Sequence, residues 1–214
     1  GKAELASAKA IEIEEQNTGA VNFGAGVGSD SGLFGEISIN QRNFDVTDLP
    51  QSIDELIKAE AFRGAGQNFN MVFRPGTEFF LYQLSLTEPH IMESDYALSV
   101  SGSYFQRDFE FYTQNRTRGA VTLNRQLGDI WTVGFPLRVE RVELSDIDAT
   151  APAAVFGDAG PDMLTGAGIS LARTTISTIT RPGRGSRFEI GWEQVGFLGD
   201  VDFGRISGEY TVFL

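Results

Sequence analysis

The sequence predicts an all-β protein, an antiparallel meander of ten strands forming a transmembrane β-barrel. Apolar residues recur at every second position in ten separate segments, which places them on one face of a strand. The intervening positions are glycines, small hydrogen-bonding residues and scattered charges, as a hydrated interior requires. Aromatic residues such as Phe80, Tyr82, Tyr96, Tyr104, Trp131 and Tyr210 gather near segment ends, where a membrane barrel carries its girdles. A soluble antiparallel sandwich would alternate as well, so periodicity alone leaves that alternative open.

The first segment sets Val21, Phe23, Ala25 and Val27 against Asn22, Gly24, Gly26 and Gly28, and the second sets Leu33, Gly35, Ile37 and Ile39 against Phe34, Glu36, Ser38 and Asn40. The short Ser29-Asp30-Ser31 link makes them a hairpin. Phe69, Met71 and Phe73 form the third strand, closed by Pro75-Gly76, and Phe80, Tyr82, Leu84 and Leu86 the fourth. Tyr96, Leu98, Val100 and Tyr104 mark the fifth, Val121 and Leu123 the sixth, and Trp131, Val133, Phe135, Leu137 and Val139 the seventh. Pro136 falls inside that seventh strand, where a missing N–H must be accommodated. The last three carry Ala167, Ile169 and Leu171; Phe188, Ile190 and Trp192; and Ile206, Gly208, Tyr210 and Val212. On this reading Val21, Phe23, Leu84, Val100, Val133, Ile169, Ile190 and Val212 face outward.

Composition agrees. With 41% hydrophobic residues, 25 Gly and 17 Phe in 214 residues, the chain is neither disordered nor collagen-like. No run reaches the roughly 18 apolar residues a membrane helix needs, which says nothing against strands. Zero Cys excludes a disulfide framework and a cysteine zinc site. A formal charge of −12 argues against a nucleic-acid partner, which would demand clustered Lys and Arg. The first residues, Gly1 to Ala10, lack the order of a signal peptide, so a mature chain or a fragment is expected.

In a meander the links at Ser29–Ser31, Pro75–Gly76, Asp108–Thr113, Ser145–Met163 and Gly196–Asp200 share one side, and those at Asp45–Gly66, Pro89–Asp95, Leu127–Ile130 and Thr180–Ser186 share the other with the chain's ends. The segment Ser52 to Phe62 places Ile53, Leu56, Ile57 and Phe62 at helical spacing behind Ser52, Asp54 and Glu55, predicting one short capped helix.

Several motifs then resemble a known family in its own order. Glu14-Glu15-Gln16-Asn17-Thr18-Gly19 followed by Val21-Asn22-Phe23-Gly24-Ala25-Gly26-Val27-Gly28 resembles the junction between the last periplasmic domain and barrel strand one in BamA-type outer-membrane β-barrel assembly factors, the bacterial surface antigen family. Leu33-Phe34-Gly35-Glu36-Ile37-Ser38, Gln41-Arg42-Asn43, Phe62-Arg63-Gly64-Ala65-Gly66-Gln67, Ser85-Leu86-Thr87-Glu88-Pro89 and Thr180 to Phe188 follow suit. The resemblance implies an outer-membrane location, with residues 1–18 as the end of a periplasmic domain or a linker and 19–214 as the first part of the barrel. The family barrel has sixteen strands and this chain supplies about ten, so an incomplete barrel is expected, with strands one and ten as bare edges. The predicted helix then lies on the periplasmic side.

The resemblance implies assembly and insertion of other β-barrels, with outer-membrane lipid, unfolded client barrels and periplasmic accessory lipoproteins as partners and no cofactor. Strand one is the candidate site: Gly19, Val21, Phe23, Gly24, Gly26 and Gly28 form a weakly packed edge that could offer backbone groups to a client strand. The alternative is that these glycines only relieve crowding at a tight bend. A protein-translocating pore of the same superfamily is a second function. Enzymatic activity is not expected, since His90, the single His, lies in a turn with no acid and nucleophile in pattern beside it. Glu36, Arg107, Arg118, Arg138, Glu140, Arg173, Arg187, Glu189, Glu193, Arg205 and Glu209 are assigned to the polar register, as cross-strand pairs in the lumen.

Overall fold

The structure is a computed structural model that describes residues 18–29, 31–52, 55, 61–157, 159–176, 183–196, 198 and 202–213. Among the described residues ten strands form one sheet in sequence order. They are β1 (Gly19–Gly28), β2 (Gly32–Phe44), β3 (Arg63–Pro75), β4 (Phe79–Glu88), β5 (Tyr96–Asp108), β6 (Thr113–Leu127), β7 (Trp131–Ser145), β8 (Gly160–Thr174), β9 (Gly185–Val195) and β10 (Phe203–Phe213). Every neighbouring pair is antiparallel, so successive links alternate between the two ends of the sheet.

The alternation read from the sequence becomes rows that run from strand to strand. Leu86, Val100, Val121, Leu137 and Ala167 are aligned across β4 to β8, and so are Ile169, Trp192 and Ile206 across β8 to β10. These side chains face solvent: Leu137 is 55% exposed and Ile206 77%. Among the described residues Val195 is the single fully buried apolar side chain, so the sheet has no dry core and the sandwich alternative fails. All eight residues expected to face outward lie on this apolar register.

Pro136 pairs with Thr122 on the β6 side, while on the β8 side the ladder runs from Gly134–Ser170 to Leu137–Ala167 with Phe135 and Pro136 unmatched. The ladder is interrupted where the proline has no N–H to give. A second irregularity lies at the end of β2, where Phe44 is matched to both Gln67 and Arg63. Asn43 adopts the left-handed region there (φ 68°), and its Oδ1 accepts the N–H of Gly66 at 2.9 Å.

Strands β1 and β10 are the edges of the sheet, and no ladder joins Ala20–Gly28 to Ser207–Phe213. The sheet is open, as an incomplete barrel requires. The helix expected over Ser52 to Phe62 falls largely outside the described residues. What is described there is a helix-capping bond, with Ser52 Oγ accepting the Glu55 N–H at 3.3 Å. One short helix that the spacing did not predict, α1 (Ala153–Gly157), lies in the β7–β8 loop at the opposite end. Arg173, expected on the lumenal register, stands opposite Trp131 and belongs to the apolar outer register at the rim. Residues 173 and 171 share a face, so the Leu171 assignment already placed it there.

Candidate strand-pairing edge and lumenal charge cluster

The six residues proposed for client pairing all lie on β1, but on two faces. Val21 and Phe23 point outward, 55% and 77% exposed, and Gly19 shares their register. Gly24, Gly26 and Gly28 face the lumenal side, aligned with Glu36, Phe34 and Gly32 of β2. None of the β1 glycines adopts a positive φ, so the backbone is ordinary strand and the absence of a side chain is what matters. A Cβ at Gly26 would lie 2.6 Å from Phe34 Cζ, whereas at Gly24 the nearest atom would be Glu36 Cβ at 3.7 Å. Gly26 therefore makes room for an aromatic ring and Gly24 does not. A Cβ at Gly19 or Gly28 would also press on a side chain, Gln41 or Ser31, so crowding bears on three of the four glycines and leaves Gly24 unexplained by contact.

Few side chains hold β1 to β2. Asn22 Nδ2 donates to Ser38 Oγ at 3.3 Å, and at the rim Gln41 Nε2 donates to Thr18 Oγ1 at 3.1 Å. The 10-residue β1 is also shorter than the 15-residue β6 and β7. Among the described residues no strand pairs with its outer backbone edge, as none does with that of β10.

The opposite side of the sheet is held very differently. Glu140 on β7, with its side chain 6% exposed, is surrounded by three guanidinium groups: Arg118 Nη2 at 2.7 Å, Arg138 Nη1 at 2.9 Å and Arg116 Nε at 3.1 Å. Arg118 Nε also donates to Glu140 Oε2 at 2.9 Å, while the Arg116 Nε–H is not aligned for a hydrogen bond. Arg138 reaches on to Glu193 on β9 with a short ion pair, and Arg205 on β10 stands 3.9 Å from Glu193. The pair between β7 and β9 crosses β8 at Gly166, where a Cβ would lie 2.3 Å from Glu193 Oε1 and 3.1 Å from Arg138 Cγ. Two carboxylates thus link side chains of four strands, β6, β7, β9 and β10, across β8.

Of the charges assigned to the lumen, Arg118, Arg138, Glu140, Glu193 and Arg205 come together in this cluster. Glu36 pairs instead with Arg74 at 2.5 Å, Arg187 with Glu189 at 3.0 Å, and Glu209 accepts from Thr211 Oγ1 at 3.3 Å. Arg107 lies over the Phe109 ring at 4.9 Å. Arg116 and Arg74 went unremarked in the sequence, although both fall on the lumenal register of their strands. His90 lies in the turn after β4, its N–H donating to Glu88 Oε1 at 3.2 Å. Among the described residues no group of three or more His, Asp or Glu is placed to hold a metal ion. Outside the strands, Asp45 and Asp148 each accept a hydroxyl and a backbone N–H from a threonine two residues on, which holds both carboxyls below the usual carboxylate range.

A sheet with a bare apolar outer face and an ion-paired polar inner face is the wall of a membrane-spanning β-barrel. The chain belongs to the Omp85 superfamily, whose domain model matches residues 61–214. It is similar to two outer membrane protein assembly factors named BamA. The one from Nitratidesulfovibrio vulgaris is 26% identical over 95% of this chain, and the one from Neorickettsia risticii 25% over 91%. The chain spans 24% of the length of each of these relatives. Among solved structures, the crystal structure of BamA from Haemophilus ducreyi lacking POTRA domains 1–3 matches with a TM-score of 0.62 at 18% identity, covering 92% of this chain and 38% of that one. The chain is a segment of an outer-membrane barrel.

Proposed function

We propose that the protein carrying this chain assembles and inserts other β-barrels into the outer membrane, with β1 as the strand on which a client strand is templated. The single observation behind this reading is how loosely β1 is held to β2: among the described residues two side-chain hydrogen bonds cross to it, at Asn22 and at the rim through Gln41, and Gly24 packs no side chain where there is room for one. Pairing of this kind needs no chemistry, because main-chain hydrogen bonds supply the affinity. Gly19, Val21, Phe23, Gly24, Gly26 and Gly28 form the pairing edge. Residues 1–18 lead into it as the end of a periplasmic domain or a linker, and unfolded client barrels and periplasmic accessory lipoproteins are the partners.

Disulfide trapping tests the proposal. Single cysteines are placed at Val21, Phe23 and Ala25 in the intact protein, and others along a client's terminal strand. Cross-links should form in antiparallel or parallel register, stepping by two residues as the client cysteine moves by two. Cross-links no stronger than those from a cysteine at Ser207 on β10, or without register, would sink the template role.

A further inference from the structure

On the outer face, the strand ends on the side where the chain enters β1 carry two arginines set among aromatic rings. Arg125 of β6 is aligned with Tyr96 of β5 and lies 5.2 Å from its ring centroid. Arg173 of β8 is aligned with Trp131 of β7 and with Phe188 of β9, and its guanidinium is 5.9 Å from the Trp131 ring centroid. Tyr210 of β10 continues the row beside Phe188. All of these share the register of Val100, Leu137 and Ile190, the lipid-facing one.

Depth follows from register. Along β8 the outer positions run from Met163, opposite Arg141, to Arg173, ten residues on. At about 3.4 Å per residue and a tilt of about 40° the two levels are roughly 26 Å apart, which matches an apolar band about 25 Å tall. The arginines at both levels therefore sit where hydrocarbon gives way to headgroups. The levels differ in charge. Arg141 is neutralised on its own strand by Glu143 at 3.0 Å. Among the described residues, neither Arg125 nor Arg173 has a carboxylate within ion-pairing distance.

We propose that Arg125 and Arg173, steadied by Tyr96 and Trp131, form a binding patch for the phosphodiester of an anionic phospholipid in the leaflet on the β1-entry side. A planar guanidinium donates two parallel N–H bonds to phosphate oxygens, and an aromatic face supports its other surface without competing for those donors. The patch lies on β5 to β8, away from the β1 edge, so it is independent of the templating role.

Native mass spectrometry of the intact protein, released from micelles doped with phosphatidylglycerol or with phosphatidylcholine, reads the lipid adducts directly. The wild type should retain phosphatidylglycerol over phosphatidylcholine. Arg125→Gln and Arg173→Gln should each lower that retention about fivefold, from about 1 kcal/mol per basic residue at an anionic surface. Arg141→Gln should leave it unchanged, and inorganic phosphate in tenfold excess should not displace the lipid. Heat-modifiable gel migration confirms that each variant is folded; where one is not, the wild-type comparison of the two lipids and the phosphate competition decide. Equal retention of the two lipids, undiminished retention in the folded double variant, the same loss in Arg141→Gln, or displacement by free phosphate would each overturn the proposal.

Discussion

Replacing Glu140 by Gln removes one negative charge from among three guanidinium groups without changing the volume of the side chain. The Glu140 side chain is 6% exposed and that of Arg138 17%, so their contact at 2.9 Å is a sheltered, charge-assisted hydrogen bond. Such a bond contributes about 1.5–3 kcal/mol. Arg116 and Arg118 are 43% and 45% exposed, and solvent screening limits each of their pairs to about 0.5 kcal/mol. The loss should total about 2–4 kcal/mol, with repulsion among the arginines included. Urea unfolding of the intact protein in micelles, followed by heat-modifiable gel migration, measures it. Arg118→Gln should cost less than about 1 kcal/mol, and a double-mutant cycle between Arg138 and Glu140 should show a coupling of about 1–2 kcal/mol. A Glu140→Gln barrel within about 0.5 kcal/mol of wild type, or an Arg118→Gln variant equally damaged, would refute the assignment of Glu140 as the hub of this wall.

Other perturbations separate the faces and the glycines. Leu137→Arg, on the outer face, should destabilise by about 2–4 kcal/mol, whereas Ser101→Arg on the lumenal face should stay below about 1 kcal/mol, both read from the same unfolding curves. Gly26→Val drives a side chain into the Phe34 ring and should cost about 1–3 kcal/mol, while Gly24→Ala, with 3.7 Å to its nearest neighbour, should be tolerated. In the β7–β8 loop, the depressed carboxyl of Asp148 means that its bonds to Thr150 favour the folded loop above the usual carboxylate range. That contribution is lost as pH falls through the lowered value. Amide exchange at Thr150 should accelerate in acid, and Asp148→Asn should abolish the pH dependence.

The strands and their outward faces were legible in the sequence because period-2 alternation survives wherever one side meets lipid. Where neither side does, the signal fades: Thr113 to Thr117 at the start of β6 are polar on both faces and carry no alternation. The five residues of α1 are too few to show a helical period. Lumenal charges could be placed on a face but not paired. The Arg138–Glu193 contact skips a strand, and a neighbour-to-neighbour rule cannot find it. Arg173 was misplaced because its charge suggested the lumen, although its parity with Leu171 placed it on the outer face. The pairing edge was legible as a glycine-rich strand, but the difference between Gly24 and Gly26 depends on Phe34, a residue of the next strand.

The bridge over β8 makes three positions interdependent. Gly166 has no interaction of its own to lose, yet any side chain there would occupy the space through which Arg138 meets Glu193. In descendants of this sequence, a larger residue at 166 should be found only where 138 or 193 has changed as well, and reverting one of the three alone should be harmful. Substitution at a silent glycine is thereby constrained by two residues on the flanking strands, so the three positions drift as a single character.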